Sequence, residues 1–256
     1  MLRSATGLRR VEQIMGTAIS LEIAGTVPAD EAGRLADEVY AWMRLVDDTF
    51  STYKDDSEVT RLHTGDLAAD DACADLRDVL AVCADLWRDT DGYFDVYATG
   101  RLDPSGYVKG WAAQVASDRL MAAGATDHSV NAGGDVRVRG WSSTGEPWRV
   151  GVRHPWDPAA VCFVLAGTDL GIATSGTYER GLHVVDPRRG GPATGLRSVT
   201  VTGPDLGRAD ALAPAPGAVG PAGLEWLAGL PAGYESADVT DDGRFFRSDG
   251  LPEQVV

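Results

Sequence analysis

The chain has 256 residues, of which 38 are Asp or Glu and 23 are Lys or Arg, so its formal net charge is −15. A protein this acidic repels the phosphates of nucleic acid and of anionic membranes, so neither is expected as its main partner. No apolar run approaches the roughly 18–20 residues that a membrane-spanning helix needs. With 44% hydrophobic and 24% charged residues, the composition is that of an ordinary globular protein.

The cysteines and the amino-terminal segment bear on the cellular compartment. Cys73, Cys83 and Cys162 are odd in number and form no CxxC pair. We therefore interpret them as buried small apolar residues rather than as a disulfide framework or a zinc site. Residues 1–10 contain arginines without a following apolar stretch, so they do not have the pattern of a secretory signal. These observations predict a cytoplasmic protein.

Helices are predicted mainly in the first half of the chain. Apolar and polar residues alternate over Thr17–Ile23, which predicts a half-buried strand. Pro28, followed by two acids, predicts the start of a first helix. A second helix is predicted over about 71–89, and a third from Lys109 to about Ala123, where Gly124 is placed to cap it. The predicted apolar faces consist of Leu35, Val39, Met43 and Val46 in the first helix and Leu76, Val79, Leu80, Cys83 and Trp87 in the second.

Strands are predicted in the second half, where the hydrophobic period changes to two. The alternating pairs and triplets are Val136/Val138, Trp148/Val150/Val152, Cys162/Val164, His183/Val185 and Val199/Val201. Early helices followed by late strands predict an α+β fold with a largely antiparallel sheet. The whole of 1–256 is expected to form a single compact domain, in which 235–256 is an acidic tail with at most one short strand around Phe245.

The familiar nucleotide-binding signatures are missing, since the chain has neither a GxGxxG nor a GxxxxGK[ST] motif. What remains is a set of small-residue turns that carry polar groups: Asp103–Gly110, Asn131–Asp135, Thr174–Gly176 and His183–Pro187. Each of them alone is compatible with an ordinary turn. Glycine in such turns lets the backbone approach a ligand closely and offers N–H donors to phosphate.

Several side chains in these turns have both a structural and a functional interpretation. Lys109, one of two lysines in the chain, is either a solvated surface residue or an anion ligand together with first-turn N–H groups. His183 is either structural or a base at the end of a strand. Asp210 either caps a helix or ligates a hard cation such as Mg²⁺. Core packing accounts for Phe94, whereas Tyr53 could stack on a flat ring system.

The order of these segments resembles that of the ApbE family, the FAD:protein FMN transferases. The matching segments cover about residues 11–220. In chain order they are Met15–Thr17, Phe50–Tyr53, Asp56–Val59, Asp91–Asp95, Leu102–Gly106, Val108–Ala112, Asn131–Asp135, Ala173–Gly176, His183–Pro187 and Ala209–Leu212. Each segment is modest by itself, but so many in the same order make a chance likeness untenable.

The resemblance implies a two-lobed α+β enzyme with FAD in a cleft between the lobes. Such an enzyme uses Mg²⁺ to transfer the FMN part of FAD to a Thr or Ser side chain of an acceptor protein, and it releases AMP. By the same resemblance the FAD contacts would be Met15, Tyr53, Tyr93, Phe94, Asp95, Asp103, Lys109 and Val184. The Gly106 carbonyl and the Asp210 carboxylate would hold Mg²⁺, and His183 would help to deprotonate the acceptor hydroxyl. Mg²⁺ and Lys109 would supply the local positive field that a chain of charge −15 otherwise lacks.

One position departs from the family pattern. The threonine expected after Ala209–Leu212, which supplies a hydroxyl ligand to the metal, is Pro214 in this chain. Proline has no side-chain oxygen and no N–H, and with Pro216 it predicts a broken or deformed helix. Two alternatives to an active transferase therefore stay open: an FAD-binding homologue with weakened or lost transfer activity, and a pyrophosphatase that converts FAD to FMN and AMP.

Overall fold

The computed structural model describes residues 7–176, 185–186, 191–192, 195–219 and 222–252. The strands in this part of the chain are β1 (Leu8–Ile14), β2 (Thr17–Ile23), β3 (His128–Ala132), β4 (Asp135–Arg139), β5 (Trp148–Arg153), β6 (Val161–Gly167), β7 (Asp169–Gly176), β8 (Val185–Asp186), β9 (Gly191–Pro192), β10 (Leu196–Gly203), β11 (Glu235–Thr240) and β12 (Phe245–Arg247). Eight of them form one antiparallel sheet in the order β1-β2-β3-β4-β7-β10-β11-β12. Two further pairs, β5–β6 and β8–β9, form separate ribbons.

The helices lie against one face of this sheet. They are α1 (Ala29–Phe50), α2 (Glu58–Thr64), α3 (Ala74–Asp89), α4 (Ser105–Ala122), α5 (Leu206–Leu212), α6 (Ala215–Val219) and α7 (Gly223–Leu227), with a 3₁₀ turn at Ala69–Asp71. The β5–β6 hairpin packs on the opposite face through Phe163 and Leu165, which contact Ile172 and Val239 of the sheet. The α+β fold with an antiparallel sheet is therefore confirmed.

The main core forms between the sheet and α1, where two hydrophobic periods meet. Ile19, Leu21 and Ile23 alternate along β2 and are buried, as their period of two predicts. Val39 and Met43, one helical turn apart on α1, are buried in the same cluster. The strand predicted over Thr17–Ile23 and the first helix are both confirmed.

Two tight hairpin turns lie side by side at one end of the sheet. Met15 and Gly16 join β1 to β2 with φ of 54° and 69°, and Gly133 and Gly134 join β3 to β4 with φ of 63° and 106°. Two positive φ angles are typical of the two-residue turns that match strand twist. A Cβ atom on Gly133 would lie 2.5 Å from the Thr17 hydroxyl oxygen, so only glycine lets the turns pack this closely.

Helices α4 and α5 cross in backbone contact above this end of the sheet. A Cβ atom on Gly110 of α4 would lie 2.6 Å from the Leu206 carbonyl oxygen of α5. Similarly, a Cβ atom on Gly207 would lie 2.8 Å from the Tyr107 ring. The two glycines remove the side chains that would otherwise hold the helices apart. The side chain of Asp210 is thereby brought to the backbone of α4.

The predicted start of the third helix is wrong by four residues. Helix α4 begins at Ser105, directly after Pro104, rather than at Lys109. Proline suits a helix start because its ring fixes φ and its N–H is not needed there. Gly106 lowers the helix propensity of this first turn, so the sequence pattern does not indicate that the helix already begins there. Lys109 therefore lies in the second turn of the helix and not in its first turn. Gly124 does follow the helix in a left-handed conformation, as predicted.

The second predicted helix also differs from its expected form. Helix α3 begins at Ala74, where the Cys73 sulfur accepts a hydrogen bond from Leu76 N at 3.4 Å, and the residues before it form the separate 3₁₀ turn. Trp87 is 52% exposed instead of buried, and its ring lies beside the turn at Gly92 that follows the helix. Only Cys83 is fully buried, while Cys73 and Cys162 are half-buried, and all three are free thiols.

The carboxyl-terminal part is more ordered than the sequence predicts. Glu235 opens β11, an almost wholly buried strand of the main sheet, so the predicted tail contains two strands rather than one. Ser236, Asp238 and Thr240 are polar although they are buried, so the sequence does not indicate that this segment lies in the interior. The break predicted at Pro214 is confirmed, because α5 ends at Leu212 and α6 begins at Ala215.

Candidate functional site

Three charged side chains from three elements meet at the sheet end that carries both hairpin turns. Lys109 of α4 forms an ion pair with Asp135, the first residue of β4. The same ammonium lies 3.9 Å from Asp210 Oδ1 of α5. The Asp135 side chain is 1% exposed and that of Lys109 is 25% exposed. A lysine between two carboxylates offsets one of their two negative charges and can still present one side to a ligand.

Asp135 is the site residue that the sequence did not identify. In the sequence, Asp135 is the last residue of the small-residue turn Asn131–Asp135, and no motif gives it a role of its own. In the structure, Asp135 Oδ1 accepts a hydrogen bond from Thr174 N of β7 at 3.2 Å, while Oδ2 faces Lys109. The Asn131 side chain closes the turn by accepting from Gly134 N at 2.9 Å. A carboxylate placed directly after a Gly-Gly turn was the signal that could have indicated this residue.

Asp210 lies in the interior of α5 rather than at its start. The helix is capped by Asp205, whose side chain accepts from Arg208 N at 2.7 Å, so the interpretation of Asp210 as the cap is wrong. Asp210 Oδ2 accepts from Gly110 N of α4 at 2.8 Å. In an α-helix that N–H is directed at the carbonyl four residues earlier, which is Gly106. The structure thus brings Asp210 and the Gly106 carbonyl to the same amide group.

This donor set has the chemistry that a magnesium ion requires. Mg²⁺ prefers carboxylate and carbonyl oxygens and keeps several waters, so it can be held by a few protein ligands. Asp210 and Gly106 supply one oxygen of each kind, whereas Pro214 supplies none from its side chain. Within the described residues, no group of three or more His, Cys, Asp or Glu is arranged to hold a metal ion. The residues present therefore fit a largely hydrated Mg²⁺ and not a closed protein cage.

The predicted FAD contacts before α4 belong to one compact turn region. Asp103 N donates to Val96 O at 2.8 Å, which brings Asp103 against the turn that contains Tyr93, Phe94 and Asp95. Phe94 is buried, and its ring would lie 3.4 Å from a Cβ atom on Gly106. The region thus leads directly to the start of α4 and to the predicted metal ligands.

Tyr53 and Met15 are two further predicted FAD contacts that the structure describes. Tyr53 follows α1, and its side chain is 96% exposed, so it is not part of the core. The neighbouring Thr52 carbonyl accepts from the Arg101 guanidinium at 3.0 Å, which ties the Tyr53 loop to the segment before Asp103. Met15 lies in the β1–β2 turn and packs against the main core.

His183 and Val184 lie outside the described residues, so the structure gives no position for the predicted base or for this FAD contact. The short strand β8 follows them directly and pairs with β9.

Two buried phenols lie close to the start of α5. Burial raises the pKa of Tyr107 far above its usual range, and it raises the pKa of Tyr234 to about 12. The charge of Asp205 adds to both shifts. Both phenols therefore stay neutral at physiological pH, so the charges of the site are those of its lysine and carboxylates.

Among the helices of the described residues, none is both long enough and apolar enough to cross a lipid bilayer.

Comparison with known proteins gives the same family at three levels. A family model described as the ApbE family matches residues 15–100 and 97–236. A FAD:protein FMN transferase of Rhodobacter capsulatus is 35% identical over 154 residues, which are 57% of this chain and 29% of that protein. One from Vibrio cholerae serotype O1 is 34% identical over 122 residues, or 44% of this chain and 36% of that protein. The matched part thus spans about a third of the length of these relatives.

Solved structures match over nearly the entire chain. The flavin transferase ApbE from Vibrio cholerae superposes with a TM-score of 0.81 at 22% identity and covers 95% of this chain and 97% of its own. The apo form of Pseudomonas stutzeri flavinyl transferase ApbE gives 0.82 at 25% identity, with 98% of both chains covered. The likeness of fold and the match of the family model together lead to one conclusion: this chain belongs to the ApbE family.

Proposed function

We propose that this protein is a Mg²⁺-dependent FAD:protein FMN transferase. It would move the FMN part of FAD onto a Thr or Ser hydroxyl of an acceptor protein and release AMP. The observation that carries the proposal is the meeting of Lys109 and Asp210, 101 residues apart in sequence (210 − 109) and 3.9 Å apart in space, beside the Gly106 turn of α4. Relatives that carry the name FAD:protein FMN transferase support it.

The reaction breaks the phosphoanhydride bond of FAD and forms a phosphoester bond to the acceptor. The acceptor hydroxyl oxygen attacks the phosphorus of the FMN half, the pyrophosphate P–O bond breaks, and AMP leaves with the bridging oxygen. Such transfers depend on positioning and on charge neutralisation more than on covalent catalysis. Asp210 and the Gly106 carbonyl would hold Mg²⁺, which when bound supplies most of that neutralisation.

The remaining tasks fall to this chain's own side chains. The Lys109 side chain is one-quarter exposed, and its ammonium would contact a pyrophosphate oxygen. Asp103 and the Phe94 turn would line the approach to α4, and Tyr53 would offer an exposed ring for stacking. His183 would accept the proton of the attacking hydroxyl.

The test is direct. The purified chain is incubated with FAD, MgCl₂ and a threonine-containing acceptor protein from a flavinylated family, and both AMP and covalently bound flavin fluorescence are measured. We expect equal amounts of the two products. Asp210→Asn should lower the rate by about 100-fold, since loss of a metal ligand has at least the effect of changing a supporting residue. Asp118→Asn, on the outer part of α4 in an ion pair with Arg139, is the matched control and should retain activity.

A weakened transferase or a pyrophosphatase is the second candidate, and the break at Pro214 favours it. The helix that carries Asp210 ends two residues before Pro214, so that neither a hydroxyl nor a continuous helix follows the carboxylate. AMP without covalent flavin would identify the hydrolytic activity. A large gain of transfer in Pro214→Thr would identify Pro214 as the cause of weak activity, whereas an unchanged rate would show that the site works without that hydroxyl.

A further inference from the structure

The charged cluster is asymmetric in a way that the proposed chemistry does not by itself require. Lys109 lies in direct contact with Asp135, but 3.9 Å from the nearer oxygen of Asp210. Lysine has a long flexible stem and three donors, so it could reach either carboxylate from α4. The structure shows it drawn towards β4 and away from α5.

Asp135 is the more rigid of the two partners. It opens a strand that is paired on both sides, its side chain is 1% exposed, and Thr174 N holds one of its oxygens. A group fixed by backbone contacts can set the position of a mobile partner. Asp210 is held differently, because its Oδ2 accepts from Gly110 N while its Oδ1 faces the lysine at the longer distance.

We propose that Asp135 is a positioning residue that ties Lys109 away from Asp210 and so keeps the Asp210 carboxylate accessible to a divalent cation. The inference rests on the proposed role of Asp210 as a metal ligand. Asp210 is a second carboxylate within reach of the Lys109 ammonium, at 3.9 Å, when the charge of Asp135 is removed. The ammonium would then move onto that carboxylate and compete with the metal for its oxygens.

The inference is tested by metal binding without turnover. Mn²⁺ shares the oxygen preference of Mg²⁺, and the electron paramagnetic resonance signal of free Mn²⁺ reports binding directly in the absence of FAD. The proteins are the full chain as wild type, Asp135→Asn, Lys109→Met, the double variant, and Asp118→Asn as an acidic residue of α4 outside the cluster. Thermal unfolding of each variant shows that it is folded.

We expect Asp135→Asn to weaken Mn²⁺ binding about tenfold, the lower end of the effect of residues that support metal ligands. Lys109→Met should bind at least as tightly as wild type. Adding Asp135→Asn to Lys109→Met should then cost less than about threefold, because the competing ammonium is gone; a purely structural Asp135 would instead cost the same in both backgrounds.

Three results would overturn the inference: no Mn²⁺ binding by the wild type, equal affinity of wild type and Asp135→Asn, or a double variant that is tenfold weaker than Lys109→Met while folded. The proposed function fails separately. A protein that shows the expected Mn²⁺ pattern but yields neither AMP nor covalent flavin from FAD would support the role of Asp135 and contradict the transferase.

Discussion

A buried histidine between α4 and β3 should make the stability of this protein fall in mild acid. His128 is fully buried, its Nε2 lies 2.7 Å from the Ser117 hydroxyl, and its Nδ1 lies 2.7 Å from the Ala125 carbonyl oxygen. The carbonyl only accepts, so Nδ1 carries the proton and Ser117 donates to Nε2. Burial is the main cause that lowers the pKa of His128 from 6.5 to about 4, and the nearby Arg139 and Arg137 add to it.

The direction of the pH dependence of stability follows from whether the folded or the unfolded chain binds the proton. Between pH 6.5 and 4 the unfolded chain takes up a proton on this ring and the folded chain does not, so acid favours unfolding. The contribution to stability is complete above pH 6.5 and is lost as the pH falls through this window. For these two pKa values the loss from pH 8 to pH 5 is about 2 kcal/mol, and it approaches about 3 kcal/mol near pH 4.

Urea unfolding of wild type and His128→Asn at pH 8 and pH 5 measures this contribution. Asparagine still donates to the Ala125 carbonyl but does not titrate, so the variant should be less stable at pH 8 and lose about 2 kcal/mol less than wild type on going to pH 5. Other titrating groups change both proteins alike and cancel in the difference. If the two proteins lose the same free energy between these pH values, the assignment of His128 as a buried neutral ring is refuted.

Three further predictions concern Gly110, Asp238 and Arg137. Gly110→Ala should lower the free energy of unfolding by about 2 kcal/mol and reduce Mn²⁺ binding, because its Cβ would lie 2.7 Å from that of Asp210. Gly33→Ala, in open space on α1, should instead raise the free energy of unfolding by roughly 0.5 kcal/mol. Urea unfolding measures the stability of both variants. Burial raises the pKa of Asp238 from 3.8 to about 7, so wild-type stability is lost as the pH rises from 3.8 towards 7. Asp238→Asn should therefore stabilise the protein at pH 8. A variant no more stable than wild type at pH 8 would contradict this. Arg137→Met should leave the melting temperature within a few degrees of wild type, because methionine still fills the buried space. Arg137→Ala should lower the free energy of unfolding by about 2 kcal/mol or more, because it leaves a cavity. Similar effects of both substitutions would show that the charge of Arg137 matters more than its packing.

Local patterns predicted the elements whose hydrophobic period is regular. The alternation in Thr17–Ile23 and the helical stripe from Leu35 to Val46 correspond to elements buried on one face only, where period and burial coincide. The strand β11 was missed because three of its buried residues, Ser236, Asp238 and Thr240, are polar. Burial of such residues is decided by neighbouring strands and not by local sequence.

The candidate site could be predicted only in part for the same reason. The ordered motifs named Lys109, Gly106 and Asp210, and the structure brings them together. Asp135 was not assigned, since its role exists only through a contact with a helix 26 residues earlier (135 − 109) and a strand 39 residues later. Pairings of this kind depend on sheet order, which no window of sequence contains.

The crossing of α4 and α5 also determines when the site can form during folding. The hydrogen bond from Gly110 N to Asp210 Oδ2 closes a separation of 100 residues, and β7, which holds Asp135, lies between β4 and β10 in the sheet. Contacts this distant in sequence form late, because the entropy of closing a long loop opposes them until the surrounding sheet exists. A nascent chain that has not yet emerged past residue 210 therefore has the hairpin turns and Lys109 but lacks the Asp210 carboxylate of the proposed cation site. On the proposed function, the ability to hold a metal should thus arise only once α5 has docked on α4, and Mn²⁺ binding would then serve as a measure of finished folding.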